Sequence, residues 1–199
     1  MTFNVFLAFA AFCFVSSATP GPNNLMLMAS GANFGIRRTV PHWLGIGTGF
    51  TVMVIVVGLG LMNVFEMFPV IYKILKTLSV AFLVYLAWKI ANAAPLGETG
   101  TVGQPMTFLQ AVAFQWVNPK AWAMALTAIS VYSPSNSVAA VVTTALIFGL
   151  INLPSCSIWM FVGRQIHRFL TNPLRMRVFN IVMSLLLLTS LYPLLFSAH

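Results

Sequence analysis

The chain of 199 residues is 59% hydrophobic and only 6% charged, where an ordinary soluble domain carries about one quarter charged residues. Ten lysines and arginines stand against two acidic residues, a net charge of +8 that would point to nucleic acid in a soluble chain. Here the basic residues sit at the ends of apolar runs, where they act as orientation signals and lipid-headgroup contacts, so the composition is that of an integral membrane protein and no nucleic-acid partner is expected.

A hydrocarbon core of about 30 Å needs about twenty residues of apolar helix. Six stretches meet that length, at about residues 2–33, 40–65, 69–91, 106–131, 137–163 and 174–196. The first opens on an apolar segment ending in small residues, as a secretory signal does. It lacks a basic start and the apolar run continues beyond it, so it is expected to remain as the first span. That span would be about 45 Å long as one helix, more than the bilayer requires. The stretch Ser17 to Asn24, SATPGPNN, breaks it. Pro20 and Pro22 each remove an amide donor and push the preceding Thr19 and Gly21 toward extended backbone, and helix should restart at or just after Pro22.

The second span follows the break ANFGIRRTVP. Gly45 and Gly49, with Gly58 and Gly60 further along, predict close helix packing. His42 lies at the span edge beside Arg37 and Arg38 and is expected to be a solvated interfacial histidine. The third span ends in YLAWKIA. The Gly-, Pro- and Thr-rich segment 92–105 then divides the chain into a first three-helix repeat (1–91), a linker (92–105) and a second three-helix repeat (106–199).

The fourth span holds a second interruption, FQWVNPKAWAM. Asn118 is a good N-cap, Pro119 suits the first helical position and Lys120 falls near the middle of the span. A lysine at that depth costs about 2.5 to 3.5 kcal/mol, so it should face a polar cavity or a partner. No span centre offers a carboxylate: Glu66 lies at the outer end of the second span and Glu98 in the linker. In the fifth span Pro154 is expected to be a tolerated kink and Asn152 to line the cavity. Cys13 and Cys156 are expected to be small packing residues, with no metal site and no cofactor. His42, His167 and His199 have no carboxylate beside them, so no catalytic constellation and no enzyme is expected. The five tryptophans could be belt or core residues, and their spacing does not separate the two.

Orientation follows from the basic residues. Arg37, Arg38, Lys89, Arg164, Arg168, Arg175 and Arg177 gather on one side, against Lys73 and Lys76 on the other, which makes the first side cytoplasmic and both termini extracytoplasmic. Because three is odd, the second group of spans enters the membrane in the opposite sense. The expected fold is therefore all-α, a polytopic membrane protein of six transmembrane helices as two inverted three-helix repeats, with helices 1 and 4 broken near the midplane.

Irregular backbone at membrane depth is tolerated only where protein or a wet cavity covers it, and a restarted half helix presents amides with a partial positive charge. Spans one and four enter from opposite sides, so both restarted halves would aim amides at the midplane, beside the Lys120 ammonium. Paired broken helices of this kind point to a transporter binding site, here one suited to a zwitterion. The amides of Asn23 and Asn24, with Lys120, are expected to hold its carboxylate. Carbonyls near Ser17 and Ala18 and the side chains of Gln115 and Asn118 are expected to hold its ammonium.

TPGPNN in the first span, YLAWKIA ending the third and NPKAW in the fourth resemble the LysE/RhtB superfamily of bacterial amino-acid exporters, over essentially the whole chain. The resemblance implies a multi-pass protein of the bacterial cytoplasmic (inner) membrane that exports small amino acids or their derivatives, coupled to protons. It carries over Thr19, Pro20, Gly21, Pro22 and Asn23 from the first motif, and Asn118, Pro119 and Lys120 from the second. With no carboxylate at a span centre, lysine and arginine are poor cargo. Small neutral amino acids such as cysteine, O-acetylserine, threonine or homoserine fit better, carried by alternating access with Lys120 either cycling the coupling proton or standing as a fixed charge. Export of another small solute or a metal ion, and a non-transport membrane subunit, are the alternatives. Nothing in the pattern marks an oligomeric interface.

Overall fold

A computed structural model describes residues 2–61, 69–93, 104–135, 137–170 and 172–192. Glu66, Glu98, His199, most of the 92–105 linker and the last residues of the sixth expected span lie outside the described residues. The described chain is helical: α1 (Phe3–Ala18), α2 (Pro22–Val56), α3 (Pro69–Ala91), α4 (Phe108–Gln115), α5 (Pro119–Thr127), α6 (Val138–His167) and α7 (Pro173–Thr189). Short π-helical turns, Val57–Leu61 and Ala128–Tyr132, extend α2 and α5.

Local chemistry sets the helix ends. Ser137 caps α6 through the Ala140 amide, and the pair Thr107 and Gln110 forms a reciprocal capping box at the start of α4. Asn-Pro opens both α5 and α7: Asn118 accepts from the Lys120 amide at 3.2 Å and Asn172 from the Leu174 amide at 2.8 Å, with proline at the next position. The same dipeptide thus starts two of the helices.

Between the first two expected spans the structure has a corner rather than a loop. α2 leaves helical geometry only at Gly35, with φ 75° and ψ 172°, a region open essentially to glycine. Across it the Ser30 and Thr39 hydroxyls approach to 2.9 Å. Nine residues of straight helix would hold them about 13.5 Å apart, so the chain doubles back. The arm 22–34 returns as the arm 36–56, and Asn23 and Phe50 line one small cavity.

This corner corrects the expectation for His42, which is 1% exposed. Helix resumes directly after Gly35, and the buried positions Thr39, His42, Ile46, Phe50 and Met53 then repeat at helical spacing on the inner face. Arg37 and Arg38 are exposed, and the Arg38 guanidinium stands 5.6 Å from the centre of the Phe34 ring.

α6 is the centre of the packing and touches α1 and both arms of α2. Gly31 meets the Met160 backbone and Gly163 meets the Met28 backbone, so first arm and α6 cross with no side chain between them. On the second arm Gly45 abuts Phe108 and Ala111 and Gly49 abuts Val112, and in the turn that extends it Gly58 abuts Val141, which is the close packing expected of these glycines. One apolar cluster joins Phe9, Phe50 and Phe148, and another joins Leu27, Ile46, Leu83, Phe114 and Leu187. α6 passes through Pro154 without ending. Cys13 and Cys156 are buried free thiols.

Two helices are long and apolar enough to cross a membrane, Pro22–Gly60 and Val138–His167, and the Gly35 corner divides the first. The outer surface carries large apolar side chains such as Leu109 at 73% and Leu150 at 72% exposed, a face suited to lipid.

Candidate functional site

Both helix interruptions fall where the sequence says they should. α1 ends at Ala18, Thr19 turns to extended backbone, and helix restarts at Pro22 after Gly21. α4 ends at Gln115 and α5 starts at Pro119. The two breaks meet. Their shared cavity is lined by Ser16, Ser17, Gly21, Asn23, Asn24, Asn118, Lys120, Asn152 and Cys156, with Phe50, Ala121 and Met124 as its apolar wall. At about 20 Å³ it has room for a water and not for an amino acid.

Lys120 is the hub. Its ammonium donates to the Thr19 carbonyl at 2.8 Å, the Thr19 hydroxyl at 2.9 Å and the Pro20 carbonyl at 3.3 Å, which uses its three N–H bonds. A Cβ on Gly21 would lie 2.7 Å from Lys120 Cδ, so glycine leaves the lysine its present path across the break.

The remaining carbonyls at the end of α1 also have protein donors. Asn24 Nδ2 donates to the Ser17 carbonyl at 2.7 Å and the Thr19 carbonyl at 2.8 Å. Trp159 Nε1 donates to the Ala18 carbonyl at 2.9 Å, and the Thr19 hydroxyl donates to the Ser16 carbonyl at 3.0 Å. The carbonyls of Ser17 and Ala18, expected from the sequence to receive a ligand ammonium, are thus occupied by Asn24 and Trp159. The side chain of Gln115 is likewise engaged: it exchanges bonds with Asn23 at 2.9 and 3.2 Å and donates to the Ala111 carbonyl. Asn118 Oδ1 is the cap of α5.

Two acceptors are left over. Asn24 Oδ1 and Asn152 Oδ1 are buried with no protein partner. The orientation of Asn24 follows from chemistry, because its Nδ2 faces two carbonyls that only accept. Asn152 Nδ2 donates to the Ser17 hydroxyl at 3.0 Å. The N-terminus of α2 has no side-chain cap, so the amides of Asn23 and Asn24 also stand available.

Sequence reasoning placed Thr19 to Asn24, Gln115, Asn118, Pro119 and Lys120 at the breaks and Asn152 on the cavity wall, and the structure brings these residues together. It missed Trp159 as a donor to α1 and the buried amide pair of Asn33 and Asn180, in which Asn33 Nδ2 donates at 2.7 Å and Asn180 Nδ2 returns a bond at 3.1 Å. A signal existed, since an asparagine inside an apolar helix needs a partner, but it does not say which. The tryptophans divide by environment: Trp43 donates to the Leu153 carbonyl at 2.8 Å in the interior, whereas Trp88 is 64% exposed.

A family profile described as LysE type translocator matches residues 14–190. The chain belongs to this family. Translocators carry solutes rather than convert them, and no group of three or more potential metal ligands occurs among the described residues. The chain is 27% identical over 190 residues to a cysteine/O-acetylserine efflux protein of Escherichia coli O139:H28, covering 94% of this chain and 96% of that one. It is 28% identical over 189 residues to proteins of the same description from Escherichia coli K12 and Shigella sonnei, covering 94% of this chain and 95% of each. No solved structure matches the chain.

Proposed function

We propose that this LysE type translocator exports small neutral amino acids or derivatives, of the cysteine, O-acetylserine, threonine and homoserine class, from the cytoplasm by proton antiport. The observation that carries the proposal is the meeting of two helix breaks at one cavity that holds a cation, free helix amides and two unpartnered amide oxygens, with no carboxylate in its lining. A zwitterion with an uncharged side chain is the complement of that set. Its carboxylate goes to Lys120 and the amides of Asn23 and Asn24, and its ammonium to Asn24 Oδ1 and Asn152 Oδ1. The efflux relatives, which share the chain's length, support the cargo class.

Lys120 then has two jobs in turn. It ties Thr19 and Pro20 to α5 beside a cavity of water size. A substrate carboxylate competes for the same ammonium, and releasing Thr19 and Pro20 frees the break in α1 to move, so that loading and opening are one event. The halves 1–91 and 106–199, as inverted three-helix repeats in the inner membrane, rock about the site. One inward charge across the potential supplies about 2.3 kcal/mol per 100 mV, roughly a fiftyfold gradient.

Counterflow in proteoliposomes tests the reading, with labelled cysteine, O-acetylserine, threonine, homoserine and lysine, with and without an imposed pH gradient. The neutral compounds should exchange and respond to the gradient. Exchange of lysine alone, or none of these, sinks the proposal.

A further inference from the structure

A second cavity, of about 180 Å³, lies where the α2 corner, the end of α3 and residues 104–106 meet, and it shares no lining residue with the Lys120 cavity. At about 30 Å³ per water it offers the space of about six waters, comparable to the heavy atoms of a small amino acid. Met26, Leu86 and Met106 make its walls largely apolar. Two basic side chains stand among them, His42 and Lys89, the latter in the last turn of α3.

His42 is 1% exposed and neither ring nitrogen has a protein partner. An unsatisfied buried polar group is costly, and the polar neighbours do not relieve it. Ser30 is bonded to Thr39 at 2.9 Å and Asn33 to Asn180 at 2.7 Å. Outside, a recess of about 400 Å³ lined by Arg38 shares residues 104–106 with the cavity wall. Arg38 thus lines the outer recess, while Lys89 and His42 line the cavity that shares its wall.

We propose that this cavity is a second binding site, for the carboxylate of a small neutral amino acid, at which cargo is held apart from the Lys120 cavity. The proposal rests on the export reading above. Lys89 supplies the charge, a neutral His42 supplies an N–H, and the apolar wall takes the side chain. The ring nitrogens are covered in this conformation, so His42 engages by turning about its Cβ–Cγ bond, a torsion with a broad range in histidine.

Equilibrium dialysis of labelled cysteine against the full-length protein in phosphatidylcholine nanodiscs reads the number of sites. Wild type should bind two equivalents. His42→Leu and Lys89→Met should each bind one, His42→Gln should regain the second, and Lys120→Met should lose the other. If His42→Leu fails to fold, both equivalents vanish, and Lys89→Met at the rim carries the test. A wild-type stoichiometry of one that neither His42→Leu nor Lys89→Met changes overturns the second site while leaving export intact. Displacement of the second equivalent by added phosphatidylglycerol assigns the cavity to a lipid headgroup and also overturns it. Failure of the export reading looks different: wild type then neither binds nor exchanges cysteine, and both sites fall together.

Discussion

At Lys120 one side chain ties the break after α1 to α5, and in the proposed function the same side chain binds the cargo. Its three bonds to Thr19 and Pro20 are charge-assisted, a class worth about 1.5–3 kcal/mol each where a charged group is involved. Lys120→Met deprives the substrate carboxylate of one bond of this class, so counterflow should fall by about tenfold to a hundredfold while the protein still inserts, and near wild-type exchange by that variant would remove Lys120 from the site. Asn24 separates structure from transport in a different way. Its Nδ2 holds two carbonyls while its Oδ1 is free, so Asn24→Asp keeps the acceptor but cannot donate. Leaving the Ser17 carbonyl to the Cys156 thiol, 3.9 Å away, should lower the thermal unfolding midpoint in detergent by the equivalent of about 1–3 kcal/mol.

Among the elements, α2 depends on a single backbone position. Gly35→Ala forces a side chain into a conformation that costs about 1–3 kcal/mol, and the unfolding midpoint should fall accordingly, although no neighbouring atom would touch the new methyl group. An unchanged midpoint would mean that the corner relaxes without strain. The clasp between α2 and α7 calls for a double-mutant cycle. Asn33→Leu or Asn180→Leu alone leaves the partner's Oδ1 without its donor at about 1–3 kcal/mol, its Nδ2 keeping a backbone carbonyl, whereas replacing both removes the mismatch, so the double variant should be destabilised by less than the sum. Additive losses would show that the two amides act independently.

For the whole molecule, the basic residues concentrated beside the α2 corner and the α6–α7 connection predict which end faces the cytoplasm. A phosphatase fused after His199 should be active and a fluorescent protein fused there should be dark. The reverse pattern would invert the proposed topology. Much of this architecture is legible without coordinates, because its signals are local. Apolar runs mark spans, two prolines flanking Gly21 end a helix and start another, and Asn118-Pro119 supplies a cap and a first helical residue within three positions. The partners of those breaks are another matter. Lys120 reaches Thr19, Trp159 reaches Ala18, Asn23 meets Gln115 and Asn33 meets Asn180 only once the helices have packed. Hydrogen bonds between residues a hundred positions apart leave no periodic trace in the chain, and burial of a residue such as His42 depends on which face a one-residue corner turns inward. Where the helices stop was therefore written in backbone preference, while the filling of the α1 carbonyls by the protein's own donors, and the acceptors left open beside Lys120, came from packing.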